Sequence, residues 1–362
     1  MDWSRIVAAT WEGYKQNFIF CGVSCGSDSG LVYDPTIGYL APSEGVGYGL
    51  LMAVMMDDQP TFDAIYDAAH RLMLDPQTGL HHWRVNSAGA INGFGSATDA
   101  EQDIAAALIF AERQVQSGAW VQHPERPYGE RSVALIEAVW TYEVADGRYL
   151  KPGDDFGSGQ DIINLSYFSP AWYRLYDAFQ ETTRWQAVID HGYESLYATS
   201  GAPRGLAPDW STAAGAPADV YCTETGRPPE LCSYEMRYDA IRVPWRIGLD
   251  CLWYGEPRAC EWSARSAAFM RNRESGHFAR MYDMDGRTVV TYQDETMLGM
   301  WLVAALAADD MSFQQRVEKL LQDRSLNAEA NGYFGNSSQY YFNQSLAWFG
   351  AALLSGDFRL IP

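Results

Sequence analysis

The sequence predicts an all-α fold in which six helical hairpins close into an (α/α)6 barrel, and two observations carry that prediction. Apolar residues recur with a helical period nearly throughout the 362 residues, as at Ile104, Ala107, Leu108 and Ala111, a spacing that lines one face of a helix. The connections between the helical stretches also alternate strictly between short and long. Helices are expected at about 2–20, 44–57, 60–74, 98–117, 127–144, 167–180, 182–199, 236–253, 257–275, 292–307, 311–324 and 339–354, with ends good to about two to four residues. The links after even-numbered helices are short: Asp58-Gln59, about 118–126, Glu181, about 254–256 and about 308–310. Links of this kind fold consecutive helices back as hairpins. The links after odd-numbered helices are long, about 21–43, 75–97, 145–166, 200–235, 276–291 and 325–338, which gathers every long loop at one end of a ring. Closing that ring uses the whole chain, so a single domain over 1–362 is expected although length alone suggests two. No run of alternating β-branched residues is long enough for a large sheet.

Composition narrows the function. With 26 Lys+Arg against 46 Asp+Glu the net charge is −20, which repels phosphate backbones and anionic lipid. No apolar run approaches the roughly 20 residues of a membrane span. Neither nucleic acid nor a membrane is an expected partner, and a monomer is expected. The 13 Trp and 22 Tyr suit a binding groove, although core packing accounts for most of them. The six Cys fall into neighbouring pairs, Cys21/Cys25, Cys222/Cys232 and Cys251/Cys260. Six Cys allow 15 connectivities, and three local staples in an exported protein is the simplest of them. No Cys/His set has zinc spacing and no HExxH occurs, so no metal or cofactor is expected. The start, Met1-Asp2-Trp3, lacks a basic and then apolar leader; a secreted protein would be represented here by a mature or trimmed form.

The long loops are rich in Gly, Pro, Asp and aromatics, as in Gly79-Leu80-His81-His82-Trp83, Lys151-Pro152-Gly153-Asp154-Asp155-Phe156 and Ala207-Pro208-Asp209-Trp210. Loops on a rigid scaffold carry function disproportionately. Each even-numbered helix is expected inside the ring and starts at this loop-rich end. Their first residues include Ser43-Glu44-Gly45, Ala97-Thr98-Asp99, Ser166-Tyr167-Phe168, Arg237-Tyr238-Asp239-Ala240-Ile241-Arg242, Thr291-Tyr292-Gln293-Asp294-Glu295 and Gln339-Tyr340-Tyr341. Carboxylates and tyrosines from separate hairpins thus converge at one mouth. That set suits glycoside hydrolysis, where one carboxylic acid protonates the leaving oxygen and a second carboxylate activates water or attacks.

Structural roles compete at each position. Ser43-Glu44 and Thr98-Asp99 also fit helix capping and dipole complementation. Asp239 and Arg242 fit a simple i, i+3 ion pair. Gly45, Gly47 and Gly49 each cost a helix about 1 kcal/mol relative to Ala, so something must approach that backbone closely. Pro244 is expected to kink its helix. Asp154-Asp155 lacks the second acidic cluster a diphosphate–metal site would need.

Several ordered segments resemble glycoside hydrolase family 8: Ser43-Glu44-Gly45-Val46-Gly47-Tyr48-Gly49, Ala97-Thr98-Asp99-Ala100-Glu101-Gln102-Asp103-Ile104-Ala105, Ser166-Tyr167-Phe168-Ser169-Pro170-Ala171-Trp172-Tyr173, Pro208-Asp209-Trp210 and Tyr238-Asp239-Ala240-Ile241-Arg242. The resemblance implies an (α/α)6 barrel and inverting hydrolysis of β-1,4-linked polysaccharide, without a cofactor. It implies Glu44 as general acid, Asp239 as general base and Asp99 as the holder of the distorted sugar. Tyr167 and Arg242 would flank the base and its water, Trp83 would stack on a sugar, and Tyr341 would be an aromatic near the cleft. Tyr238 and Trp210 fall in matching segments and join the expected sugar contacts. Asp at position 239 is similar to the family's cellulases and some xylanases rather than its chitosanases, which generally recruit a Glu elsewhere. The Ser-Glu-Gly and Ala-Thr-Asp-Ala segments keep the cellulase-like form, which implies an endo-β-1,4-glucanase with chitosanase or xylanase as the sister alternatives. A silent carbohydrate-binding barrel would lack a complete acid/base pair. One departure is Phe156, where such cellulases carry a stacking Trp; a smaller ring weakens that subsite. Inversion requires about 6.5–9.5 Å between the two carboxyls.

Overall fold

A computed structural model describes residues 1–25, 30–218, 220, 233–273, 281–291 and 293–362. Its main helices are α1 (Trp3–Tyr14), α2 (Ser43–Met55), α3 (Gln59–Leu72), α4 (Thr98–Gln116), α5 (Tyr128–Glu143), α6 (Pro170–Gln180), α7 (Gln186–Ala198), α8 (Val243–Tyr254), α9 (Pro257–Arg271), α10 (Glu295–Ala307), α11 (Met311–Arg324) and α12 (Tyr341–Ser355). The even-numbered helices pack in sequence from α2 to α12 and back to α2, forming the inner ring. Each odd-numbered helix lies outside a hairpin partner: α3 on α2, α5 on α4, α7 on α6, α9 on α8, α11 on α10 and α1 on α12. This is the expected (α/α)6 barrel.

The division into inner and outer helices follows from side-chain distribution. α2 and α10 are apolar nearly all round and almost wholly buried, as a helix without a polar face must be. α3 buries only a stripe that includes Phe62, Ile65, Tyr66 and Ala69. Close packing of inner helices also explains a costly glycine. A Cβ on Gly47 would stand 2.7 Å from the Cβ of Asp103 on α4, so the approach demanded by this position is that of a neighbouring helix.

The loop-rich end differs from expectation in four places. α1 closes in a π-turn over Lys15–Ile19 rather than running as α-helix to 20. α6 starts at Pro170, after a separate 3-10 turn at Leu165–Tyr167. α8 starts at Val243, because the preceding stretch pairs as a strand over Glu235–Met236 and then turns through Ala240–Arg242. Pro244 therefore lies in the first turn, where its missing N–H costs no helical bond, and it starts α8 instead of kinking it. α10 starts at Glu295, with the Asp294 side chain accepting the Met297 N–H at 3.3 Å.

Small antiparallel sheets tie the long loops together. One joins β1 (Ala41–Pro42), β2 (Arg84–Val85) and β3 (Ile91–Gly93), with Ala41 opposite Val85. Another joins β4 (Val144–Ala145) and β5 (Tyr149–Leu150), and a third joins β6 (Glu235–Met236), β7 (Met281–Asp283) and β8 (Thr288–Val290). Disulfides link Cys21 to Cys25 and Cys251 to Cys260; the Cys222/Cys232 pair lies outside the described residues.

Candidate active site

Arg242, at the end of the 3-10 turn that leads into α8, organises the mouth of the barrel and is fully buried. Its Nη1 donates to Oε2 of Glu44 and, at 2.6 Å, to Oδ2 of Asp99, while Nη2 donates to Oδ1 of Asp239 at 3.1 Å. Three carboxyls from α2, α4 and the β6–α8 turn thus meet on one guanidinium. The Tyr167 ring lies 5.3 Å from that guanidinium and the Phe342 ring 5.9 Å from it.

The starts of α2 and α4 bear on the capping alternative for Ser43-Glu44 and Thr98-Asp99. The N-caps are Pro42 and Ala97, neither with a capping side chain. Ser43 and Thr98 sit inside the first turn; the Ser43 hydroxyl has no partner among the described residues, and that of Thr98 donates to the Lys151 carbonyl at 2.8 Å. Capping thus does not account for these segments.

Glu44 and Asp239 differ in surroundings. Burial pushes Glu44 up to about 7, aided by the charges of Asp99 and Asp239 and opposed by Arg242 and by the Tyr341 hydroxyl, which donates to Glu44 Oε1 at 2.7 Å. The α2 N-terminus favours an anion, but desolvation prevails. Asp239 is also raised by burial, held back first by Arg242 and then by hydrogen bonds from Asn164 and Trp210. The Asn164 amide reaches Asp239 Oδ2 at 3.1 Å. About a third of the Asp239 side chain remains exposed, against 2 % for Asp99. The Asp99 Oδ1 atom has no partner among the described residues.

A cleft of about 320 Å³ opens on this cluster, lined by Glu44, Asp239, Tyr341, Tyr238, Tyr340 and Asn343 among others. Glu44, Asp99, Asp239, Arg242, Tyr167 and Tyr341 are therefore brought together as expected, with half-exposed Tyr238 on the rim. Tyr167, Trp210 and Phe156 form an aromatic run, with successive ring centroids 6.2 and 5.7 Å apart. Trp83 stands on the β2 side of the mouth. Its carbonyl accepts the Ser43 N–H at 2.8 Å, the Arg84 guanidinium lies 4.3 Å from its ring, and 38 % of it is exposed. Asp154, by contrast, is tied into the loop by the Ser96 N–H at 2.9 Å.

Sequence reasoning assigned no role to Tyr48, Asn164, Asp209 or Phe342. The Tyr48 hydroxyl lies 3.4 Å from Arg242 Nη1. Asp209 lies in the segment Pro208-Asp209-Trp210, where nothing in the sequence signals that it meets the backbone around Asp239.

Comparison with known proteins places the chain in a family. The family model "Glycosyl hydrolases family 8" matches residues 2–355. Endoglucanase A of Acetivibrio thermocellus is 32 % identical over 347 residues, covering 92 % of this chain and 67 % of the relative. The reducing end xylose-releasing exo-oligoxylanase of Halalkalibacterium halodurans is 26 % identical, over 92 % of this chain and 84 % of its own length. The apo structure of the beta-1,3-1,4-glucanase from Paenibacillus sp. X4 shares the fold with a TM-score of 0.82 at 22 % identity, covering 99 % of this chain and 93 % of that one. The chain belongs to glycosyl hydrolases family 8.

Proposed function

We propose that this protein is an inverting endo-β-1,4-glucanase acting on cellulose-type or mixed-linkage β-glucan. The observation that carries the reading is the pair of dissimilar carboxyls on Arg242, with Glu44 pushed up to about 7 and Asp239 held by three donors at the open side of the cleft. A carboxyl that keeps its proton near neutral pH, paired with a second one reached by donors at the cleft, is the set an acid/base hydrolysis needs. The 32 % identity to an endoglucanase supports the substrate class.

In this mechanism Glu44 gives its proton to the glycosidic oxygen as the bond to the anomeric carbon breaks. Asp239 takes a proton from a water that attacks the same carbon from the opposite face, which inverts its configuration. The unpartnered Oδ1 of Asp99 accepts a hydroxyl of the sugar at the cleavage point. Tyr167, Trp210 and Phe156 offer rings to successive sugars on one side, with Trp83 and Tyr341 at the mouth. The disulfides suit an oxidising, extracellular compartment, where such a polymer is met.

The test is reducing-sugar release from carboxymethylcellulose, barley β-glucan, xylan and chitosan side by side, with the anomer of the first product followed by NMR. Release from the two glucans as the inverted α-anomer is expected. Activity confined to xylan or to chitosan would replace the substrate, and a β-anomer would replace the mechanism.

A further inference from the structure

We infer that Asp209 and Trp210 act as one positioning unit for the general base, with Asp209 fixing the backbone on both sides of Asp239 while the Trp210 indole holds its carboxyl. This rests on the proposed role of Asp239. Asp209 Oδ1 accepts the N–H of Arg237 at 2.9 Å and that of Ala240 at 2.8 Å, so a single buried atom staples the chain before and after Tyr238-Asp239. The N–H of Asp239 is a further donor to the same carboxyl. The next residue, Trp210, hydrogen-bonds the Asp239 side chain. The Asp209-Trp210 segment is itself anchored, the Asp209 N–H to the Glu235 carbonyl at 2.9 Å and the Trp210 N–H to that of Ser233 at 3.0 Å. Asp239 precedes a 3-10 turn rather than standing inside a helix, so this clamp replaces the helical ladder that would otherwise fix it.

The charge balance agrees. Arg242, Asp99, Glu44, Asn164, Tyr167 and Trp210 surround Asp239, and the charge of Asp239 also reaches Asp209. Burial and the charge of Asp239 push Asp209 up to about 8. The staple needs only an acceptor oxygen at Asp209 Oδ1, which the carboxyl supplies in either protonation state.

The test compares Asp209→Ala, Asp209→Asn and Trp210→Phe with the parent on barley β-glucan. Asp209→Ala is expected to lower kcat by about 10²-fold with little change in KM, the loss that follows about 1 Å of misplacement. Asp209→Asn, neutral and still an acceptor, is expected to restore kcat to within about fivefold of the parent. Trp210→Phe removes a donor that favours ionised Asp239, so the acid limb of kcat/KM is expected to move up by about 0.5–1 pH unit. Asp209→Ala with kcat within about twofold of the parent, or Asn no better than Ala, overturns the inference. If Asp209→Ala does not fold, the Trp210→Phe limb decides, and an unmoved limb overturns it. A parent inactive on every glucan removes the proposed function and this inference with it. An active parent with unresponsive variants removes only the inference.

Discussion

Two acid–arginine layers lie one helical turn apart in this barrel and do opposite things. Asp99 and Asp103 are four residues apart on α4, as are Arg242 and Arg246 at the start of α8, so one layer stacks below the other. In the deeper layer the ratio is one to one. Asp103 Oδ1 is bonded by Arg246 Nη1 and by the Trp172 indole at 2.8 Å, and Oδ2 by Arg246 Nη2 at 2.7 Å. Arg246 Nε donates to the Ser166 carbonyl at 3.3 Å, and both charged side chains are fully buried. In the upper layer Glu44, Asp99 and Asp239 compete for one guanidinium, and Asp99 Oδ1 is left over. The same residue types are structural where every acceptor is filled. On the proposed mechanism they carry the chemistry where carboxyls outnumber the cation and unfilled positions face a cleft.

The largest effect should come from editing the upper layer. Glu44→Gln and Asp239→Asn are each expected to cut kcat on β-glucan by about 10³-fold while leaving cello-oligosaccharide affinity nearly intact, as titration calorimetry would read. A variant as active as the parent breaks the role assignment. In the lower layer Arg246→Met leaves Asp103 as a buried charge without its cation, so a loss of about 3–5 kcal/mol in urea unfolding is expected. A loss under about 1 kcal/mol would show that the two layers do not differ in kind.

The barrel and the members of the upper layer were legible in the sequence, for identifiable reasons, whereas the Asp103–Arg246 pair was not. The helical period and the short links at Asp58-Gln59 and Glu181 depend on local chemistry, and the barrel followed from them. Glu44, Asp99 and Asp239 were visible because each lies near the start of an inner element at the loop-rich end. What was not legible depends on distant partners. Strand β6 forms only because β7 lies alongside it, which delays α8 and turns Pro244 from an expected kink into a first-turn residue. Asp209 meets Ala240 across 31 positions, a separation that neither period nor motif spacing encodes. Gly47 signalled close approach, but only the packed helices show that Asp103 makes it.

The smallest effect sharpens the comparison most, because it asks what the upper layer costs. In the unfolded chain Glu44 titrates at the ordinary value of 4.5, and in the fold at about 7. Below 4.5 the carboxyl is protonated in both states and contributes no pH dependence. Between 4.5 and about 7 the unfolded chain loses the proton and the fold keeps it, so stability falls as pH rises; above about 7 the loss is constant. Glu44→Gln removes that penalty. Its Tm advantage over the parent is therefore expected to grow across this window and then level at about 2–4 °C, as differential scanning calorimetry at stepped pH would show. The same proton sets catalysis, so the alkaline limb of kcat/KM for the parent should fall near the pH where the Tm difference levels. A Tm difference flat from pH 4 to 8 would mean that Glu44 is as acidic in the fold as out of it. The upper layer would then be neutralised as fully as the Asp103–Arg246 pair beneath it, and burial beside two other carboxyls could not be what arms the acid.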